Sequence, residues 1–142
     1  MTLEQAIQHC KEKAEELGIN YAGSIEEAVK NADFVVLGMA LNEETKGIIG
    51  SKELAFMKQG TILINTARGA LVNETALGEA LRSNKLAAGL DVVVNEPVTN
   101  AHPLYNLPNV IITPHIGANT EEALYRVGMA CVEGIREYFL RA

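Results

Sequence analysis

"TILINTARGALVNETAL", Thr61 to Leu77, runs from an apolar, β-branched stretch straight into an arginine and a glycine. Thr61-Ile62-Leu63-Ile64 is short and nearly all apolar, the pattern of a strand buried on both faces of a parallel sheet. Arg68 comes just past its carboxyl end, and Gly69 gives the backbone freedom to turn sharply there. In open α/β sheets the carboxyl ends of the strands are where ligands bind. A cation at that edge can hold an anionic substrate or pair with a carboxylate of the chain itself. This stretch alone leaves both readings open.

Outward from it, helical and strand patterns alternate. Leu3, Ala6, Ile7, Cys10, Ala14 and Leu17 recur at helical spacing, and Gly18 stops that helix. "INYAG" (Ile19 to Gly23) reads as a short strand, and Ser24-Ile25-Glu26-Glu27 as a capping box. "DFVVLGM" (Asp33 to Met39) is expected to be a buried strand, followed by a loop with short helices over Asn42 to Lys58. A helix capped by Asn73 turns Leu77, Ala80 and Leu81 inward. "AAGLDV" (Ala87 to Val92) and "VIIT" (Val110 to Thr113) are two further strands. Thr120 caps a last helix whose Leu124, Val127, Cys131, Val132, Ile135 and Phe139 form one stripe. Such alternation predicts βαβ units and a parallel sheet.

The bulk numbers bound the function. A chain of 142 residues, 48% hydrophobic and 21% charged, has the composition of a folded globular domain. A net charge of −6 argues against binding nucleic acid by phosphate neutralisation. No apolar run approaches a membrane span, and "MTLEQAIQHC" has neither the basic start nor the apolar core of a signal peptide. Cys10 and Cys131 are far apart and form no C-x-x-C pair, which fits reduced thiols on apolar helix faces in a cytoplasmic setting. Three histidines without ligand spacing argue against structural zinc. His9 and His102 are expected at the surface, and Cys131 in the core.

Three segments should end at the same edge of the sheet. The first supplies Arg68. The second, "GLDVVVNEP", supplies Asp91 at the strand end and Glu96 before Pro97. The third, "VIITPHIGANT", places His115 two residues past its strand, between Pro114 and Gly117. Arg grips a carboxylate bidentately. His is a general acid near neutral pH, and a neighbouring Glu holds its ring in one tautomer. Together they suit protonation of a carbonyl oxygen while a hydride arrives at its carbon.

"INTARG", "GLDV…NEP" and "TPHIGANT", in this order, resemble the carboxyl half of the nucleotide domain of the D-isomer-specific 2-hydroxyacid dehydrogenases. "AAGLDVVVNEPVTNAHPLYNLPNVIITPHIG" is further similar to their glyoxylate/hydroxypyruvate reductase branch. The resemblance runs from about Gly18 to the end of the chain. It implies an α/β fold, the carboxyl part of a doubly wound Rossmann-type sheet, and NAD(P)H-dependent reduction of a small 2-oxo acid. Arg68 would bind the substrate carboxylate and carbonyl, His115 would be the acid/base and Glu96 its partner. Thr66, Ala67 and Asp91 would line the nicotinamide side, with Gly117 and Ala118 close to the cofactor. NADP is the dinucleotide favoured by this branch, with NAD the alternative. A homodimer is one state open to the full-length form, since the sequence itself does not give the oligomeric state.

The chain departs from the family in several places, "KLAAGLDV" (Lys85 to Val92) being one residue shorter than the usual form. "LGMALN" (Leu37 to Asn42) puts Gly38 and Ala40 where His and Pro are common. No G-x-G-x-x-G occurs anywhere, so residues 1–142 read as a partial dinucleotide domain lacking the glycine-rich first βαβ unit and the substrate domain. "DFVVLGM" would then form an exposed apolar sheet edge, and the chain alone is expected to bind dinucleotide poorly and to be inactive. The rival readings are a dinucleotide-sensing corepressor on the same scaffold and an inactive fragment. Formate dehydrogenases share the scaffold but carry an amide where Glu96 stands.

Overall fold

The structure, a computed structural model, describes residues 3–141. Its elements run α1 (Leu3–Glu16), α2 (Ile25–Val29), β1 (Phe34–Leu37), α3 (Ser51–Phe56), β2 (Thr61–Asn65), α4 (Glu74–Arg82), β3 (Leu86–Leu90), β4 (Val110–Ile112) and α5 (Glu121–Arg141). The strands form one parallel sheet in the order β1-β2-β3-β4. Ile62 lies level with Phe34 on one side and Ala87 on the other, and Asn65 with Leu37 and Leu90. Every strand therefore ends towards the same edge, which carries Arg68, Asp91 and His115 together.

The local signals act as the sequence indicates. Ser24 accepts the Glu27 N–H at the start of α2, while the Glu27 carboxylate reaches back to the Gly23 N–H. Asn73 Oδ1 accepts the Ala76 N–H and starts α4. Thr120 Oγ1 accepts the Ala123 N–H at the start of α5. The crossover helices press one face of the sheet: Leu63, Leu71, Leu77 and Leu81 are completely or almost completely buried, with Ile49, Met57 and Leu104 around them.

Four expectations change. "INYAG" forms no strand, because a strand exists only by pairing and none lies beside it among the described residues. β1 is not buried on both faces: Val35 and Leu37 point into the core, but Phe34 and Val36 are each 63% exposed. They share an open face with half-buried Ile62 and Ile64 and exposed Ile111. The outer edge of β1 carries no partner strand among the described residues. In α1 only Ala14 is buried among the described side chains; Ile7 and Cys10 are exposed, as is Leu17 just past the helix, and the side chains of Leu3 and Ala6 lie outside the described residues. Finally, α5 has no buried residue, so Cys131 is exposed rather than in the core.

Candidate active site

The end of β2 is shaped by Asn65, a buried carboxamide closing an apolar strand. Its Oδ1 accepts the Ala67 N–H at 3.1 Å and its Nδ2 donates to the Arg68 carbonyl at 2.9 Å. That turn sets Thr66, Ala67 and Arg68 at the sheet edge. Arg68 is exposed, donates from Nη1 to the Ala67 carbonyl, and meets no carboxylate among the described residues. Its neighbour Gly69 opens a 3₁₀ turn (Gly69–Leu71), so the chain turns where expected, but glycine is needed there for another reason. A Cβ there would lie 2.1 Å from the Val93 carbonyl carbon, so glycine is required by the approach of two backbones.

At the end of β3 the Asp91 N–H continues the ladder to Asn65, and its carboxylate is buried. It accepts the Thr113 hydroxyl and the successive N–H groups of Ile116 (3.0 Å) and Gly117 (2.8 Å), an anion held in a backbone nest. The Thr113 hydrogen bond, helped by these amides, holds its carboxyl below the ordinary aspartate value although burial opposes the shift. Between these anchors His115 sits at φ 55°, a left-handed conformation uncommon for a residue with a Cβ. Gly117 leaves room for the clamp: a Cβ there would come within 2.9 Å of Asp91 Oδ2.

Glu96 completes the group. Its Oε1 accepts the Val93 N–H at 3.1 Å and its Oε2 lies 2.8 Å from His115 Nδ1. The hydrogen bond to His115, more than that to Val93, lowers the Glu96 carboxyl from its usual value. Arg68, Glu96 and His115 line one cleft of about 370 Å³, with Leu41, Gly69 and Val92 to Val94. Glu96 and His115 also line an adjoining cavity of about 400 Å³, with Asp91, Val93, Pro97, Val98, Thr113 and Pro114. The pair thus stands between two openings, one reaching Arg68 and the other Asp91.

Thr66 and Ala67 stand on the turn after β2, and Gly117 and Ala118 lie exposed past His115; none of the four lines either opening. Leu41, from the unusual "LGMALN" loop, reaches the Arg68 cleft. His102 is a correction: expected at the surface, its side chain is only 6% exposed, beside Glu74. Sequence reasoning also missed Asn65 and Thr113. Each is a polar residue at the carboxyl end of an apolar strand, and that placement was the signal for them.

Residues 3–117 match the family described as D-isomer specific 2-hydroxyacid dehydrogenase, NAD binding domain. The chain belongs to this family. The D-3-phosphoglycerate dehydrogenase of Methanocaldococcus jannaschii is 45% identical over 128 residues, 89% of this chain and 24% of that protein. The glyoxylate/hydroxypyruvate reductase B of Citrobacter koseri is 40% identical over 134 residues, 94% of this chain and 41% of that protein. A crystal structure of a D-isomer specific 2-hydroxyacid dehydrogenase from Xanthobacter autotrophicus, in complex with NADPH and MES, superposes with a TM-score of 0.62 at 38% identity, over 65% of this chain and 38% of that one. The chain therefore spans from about a quarter to two fifths of the relatives it matches. Fold and family agree: this is an α/β, Rossmann-like part of an NAD-binding dehydrogenase domain. No helix among the described residues is long and apolar enough to cross a membrane.

Proposed function

We propose that this D-2-hydroxyacid dehydrogenase segment carries the proton-transfer and carboxylate-binding part of an NAD(P)H-dependent reductase of small 2-oxo acids, glyoxylate or hydroxypyruvate, acting within a larger enzyme. The observation that carries it is the meeting of Arg68, Glu96 and His115 at one cleft on the carboxyl edge of the sheet. Arg68, without a carboxylate partner among the described residues, presents its guanidinium fork to the substrate carboxylate and carbonyl oxygen. Glu96 holds the hydrogen of His115 on Nδ1, which leaves Nε2 as the nitrogen that passes a proton to the carbonyl oxygen.

The adjoining cavity at Asp91, about 400 Å³, has room for a nicotinamide ring, and a bound dinucleotide would supply the hydride. Of the residues expected on that side, Asp91 lines this cavity, while Thr66, Ala67, Gly117 and Ala118 line neither opening. Asp91 already takes three donors, and its remaining acceptor capacity on Oδ2 suits a carboxamide N–H. NADP is favoured by the reductase branch and by the NADPH-bound neighbour, with NAD the alternative. A second reading, a phosphorylated 2-hydroxy acid as substrate, is supported by the 45% identity to a phosphoglycerate dehydrogenase.

Both readings are tested by titrating glyoxylate, hydroxypyruvate and 3-phosphoglycerate into isotopically labelled protein without dinucleotide, following amide signals. The small 2-oxo acids should shift Arg68, Gly69, Val93 to Glu96 and His115 to Gly117 with roughly millimolar affinity, and Arg68→Ala should abolish the shifts. Localised shifts from 3-phosphoglycerate alone would favour the second reading. No localised shift with any of the three would sink both.

A further inference from the structure

Glu74 is the first residue of α4, where a carboxylate would ordinarily serve its own helix end. Instead its Oε1 accepts the N–H of Val94, twenty residues further along the chain, at 2.7 Å. The preceding N–H, that of Val93, donates to Glu96 Oε1, and the other oxygen of Glu96 meets His115. The Val93–Val94 backbone is therefore gripped twice by the connection between β2 and α4: Gly69 packs against it and Glu74 hydrogen-bonds it. Arg68 belongs to that same connection.

Behind Glu74 lies His102. Its Nδ1 accepts the Leu104 N–H at 3.3 Å, which leaves its hydrogen on Nε2. Nε2 is 3.4 Å from Glu74 Oε2, too poorly aligned for a hydrogen bond, and has no other partner among the described residues. A buried N–H facing a single carboxylate oxygen holds that carboxylate by electrostatic attraction at short range.

We propose that Glu74, backed by His102, is a positioning residue. It fixes the Val93–Val94 stretch so that Glu96 keeps the His115 hydrogen on Nδ1 and the pair stays in register with Arg68. The inference rests on the reading of Glu96 and His115 given above. A merely structural Glu74 would change stability when replaced and leave the His115 tautomer untouched.

The test is the tautomer of the neutral His115 ring, read from its two ring nitrogen shifts by NMR on the full 142-residue chain. The parent protein should show the hydrogen mainly on Nδ1. Glu74→Ala should lose that excess and give a mixture of the two tautomers. Glu74→Gln should restore it, since the amide oxygen still accepts from Val94. A parent-like tautomer in Glu74→Ala overturns the proposal. If Glu74→Ala fails to fold, Glu74→Asp keeps the charge at the start of α4 but is too short to reach the Val94 N–H, and must shift the ratio the same way; no shift there also overturns it. Failure of the underlying function looks different. The parent tautomer and the Glu74 effect would stand, while Arg68→Ala would leave the small-acid titration unchanged.

Discussion

Helices α4 and α5 carry the same kind of amphipathic stripe, yet they end in opposite environments. In α4, Leu77 and Leu81 are 1% and 0% exposed; in α5, Leu124 and Ile135 are 62% and 60% exposed. The difference lies in connectivity. α4 joins two parallel strands that pair in register, so the chain is compelled to lay its apolar side on the sheet. α5 leaves β4 with no further strand among the described residues to return to, and no described residue of it is buried. A helical period thus specifies a face, and topology supplies the partner. The candidate site belongs to the compelled part: Arg68, Asp91, Glu96 and His115 all hang on connections between β2 and α5 that pack against the core.

The largest test of that contrast is Leu63→Ala. Leu63 is fully buried in β2, at the middle of the sheet and within its hydrophobic core. Removing its branched end leaves a cavity that close-packed neighbours cannot fill, at a cost of roughly 2–5 kcal/mol. Urea unfolding should show a large drop in the midpoint with an unchanged slope. A loss under about 1 kcal/mol would mean that the centre of the sheet is no better packed than the ends.

Much of this arrangement was readable in the sequence. Thr61 to Asn65 pairs as a parallel strand, Asn73, Ser24 and Thr120 cap the helices that follow them, and Glu96 meets His115. These features are local or rest on short spacings fixed by strand geometry. What was not readable depends on residues distant in sequence. Gly69 is required by Val93, Thr113 binds Asp91 and His102 lies beside Glu74; Asn65 is the exception, folding the turn next to it from a signal that was local. The stripe of α5 and the faces of β1 misled for the same reason, since burial is decided by what stands opposite. The roles of Arg68 and Asp91 came from the family resemblance and from position at the strand ends rather than from their own local patterns.

A mid-sized effect is expected at Asp91, the point where β3 grips the His115 loop. Its folded-state carboxyl is held below the ordinary value, chiefly by the Thr113 hydroxyl and then by the Ile116 and Gly117 amides. The group therefore contributes stability that is present above its unfolded-state pKa and is lost as pH falls through its folded-state pKa. Asp91→Asn removes that contribution and sets an amide NH₂ against the Gly117 N–H, costing about 2 kcal/mol near neutral pH. In acid the two proteins should converge, because the parent then loses the ion as well. Urea midpoints measured at neutral and acid pH check this. A gap of the same size at both would show that the charge of Asp91 does nothing for the loop.

The smallest effect belongs to Ile135→Ala in α5. Isoleucine loses rotamer freedom in a helix and alanine does not, so at an exposed position the exchange is neutral or slightly favourable. The expected change in stability is within about 0.5 kcal/mol, as for surface substitutions without a buried partner. Amide exchange offers an independent reading of the same point. A 21-residue helix with no packed face has only its own marginal propensity, so its amides should exchange far faster than those of β2 and β3. Slow exchange in α5, joined to a loss of more than about 1 kcal/mol in Ile135→Ala, would place its stripe against a surface and erase the contrast with α4.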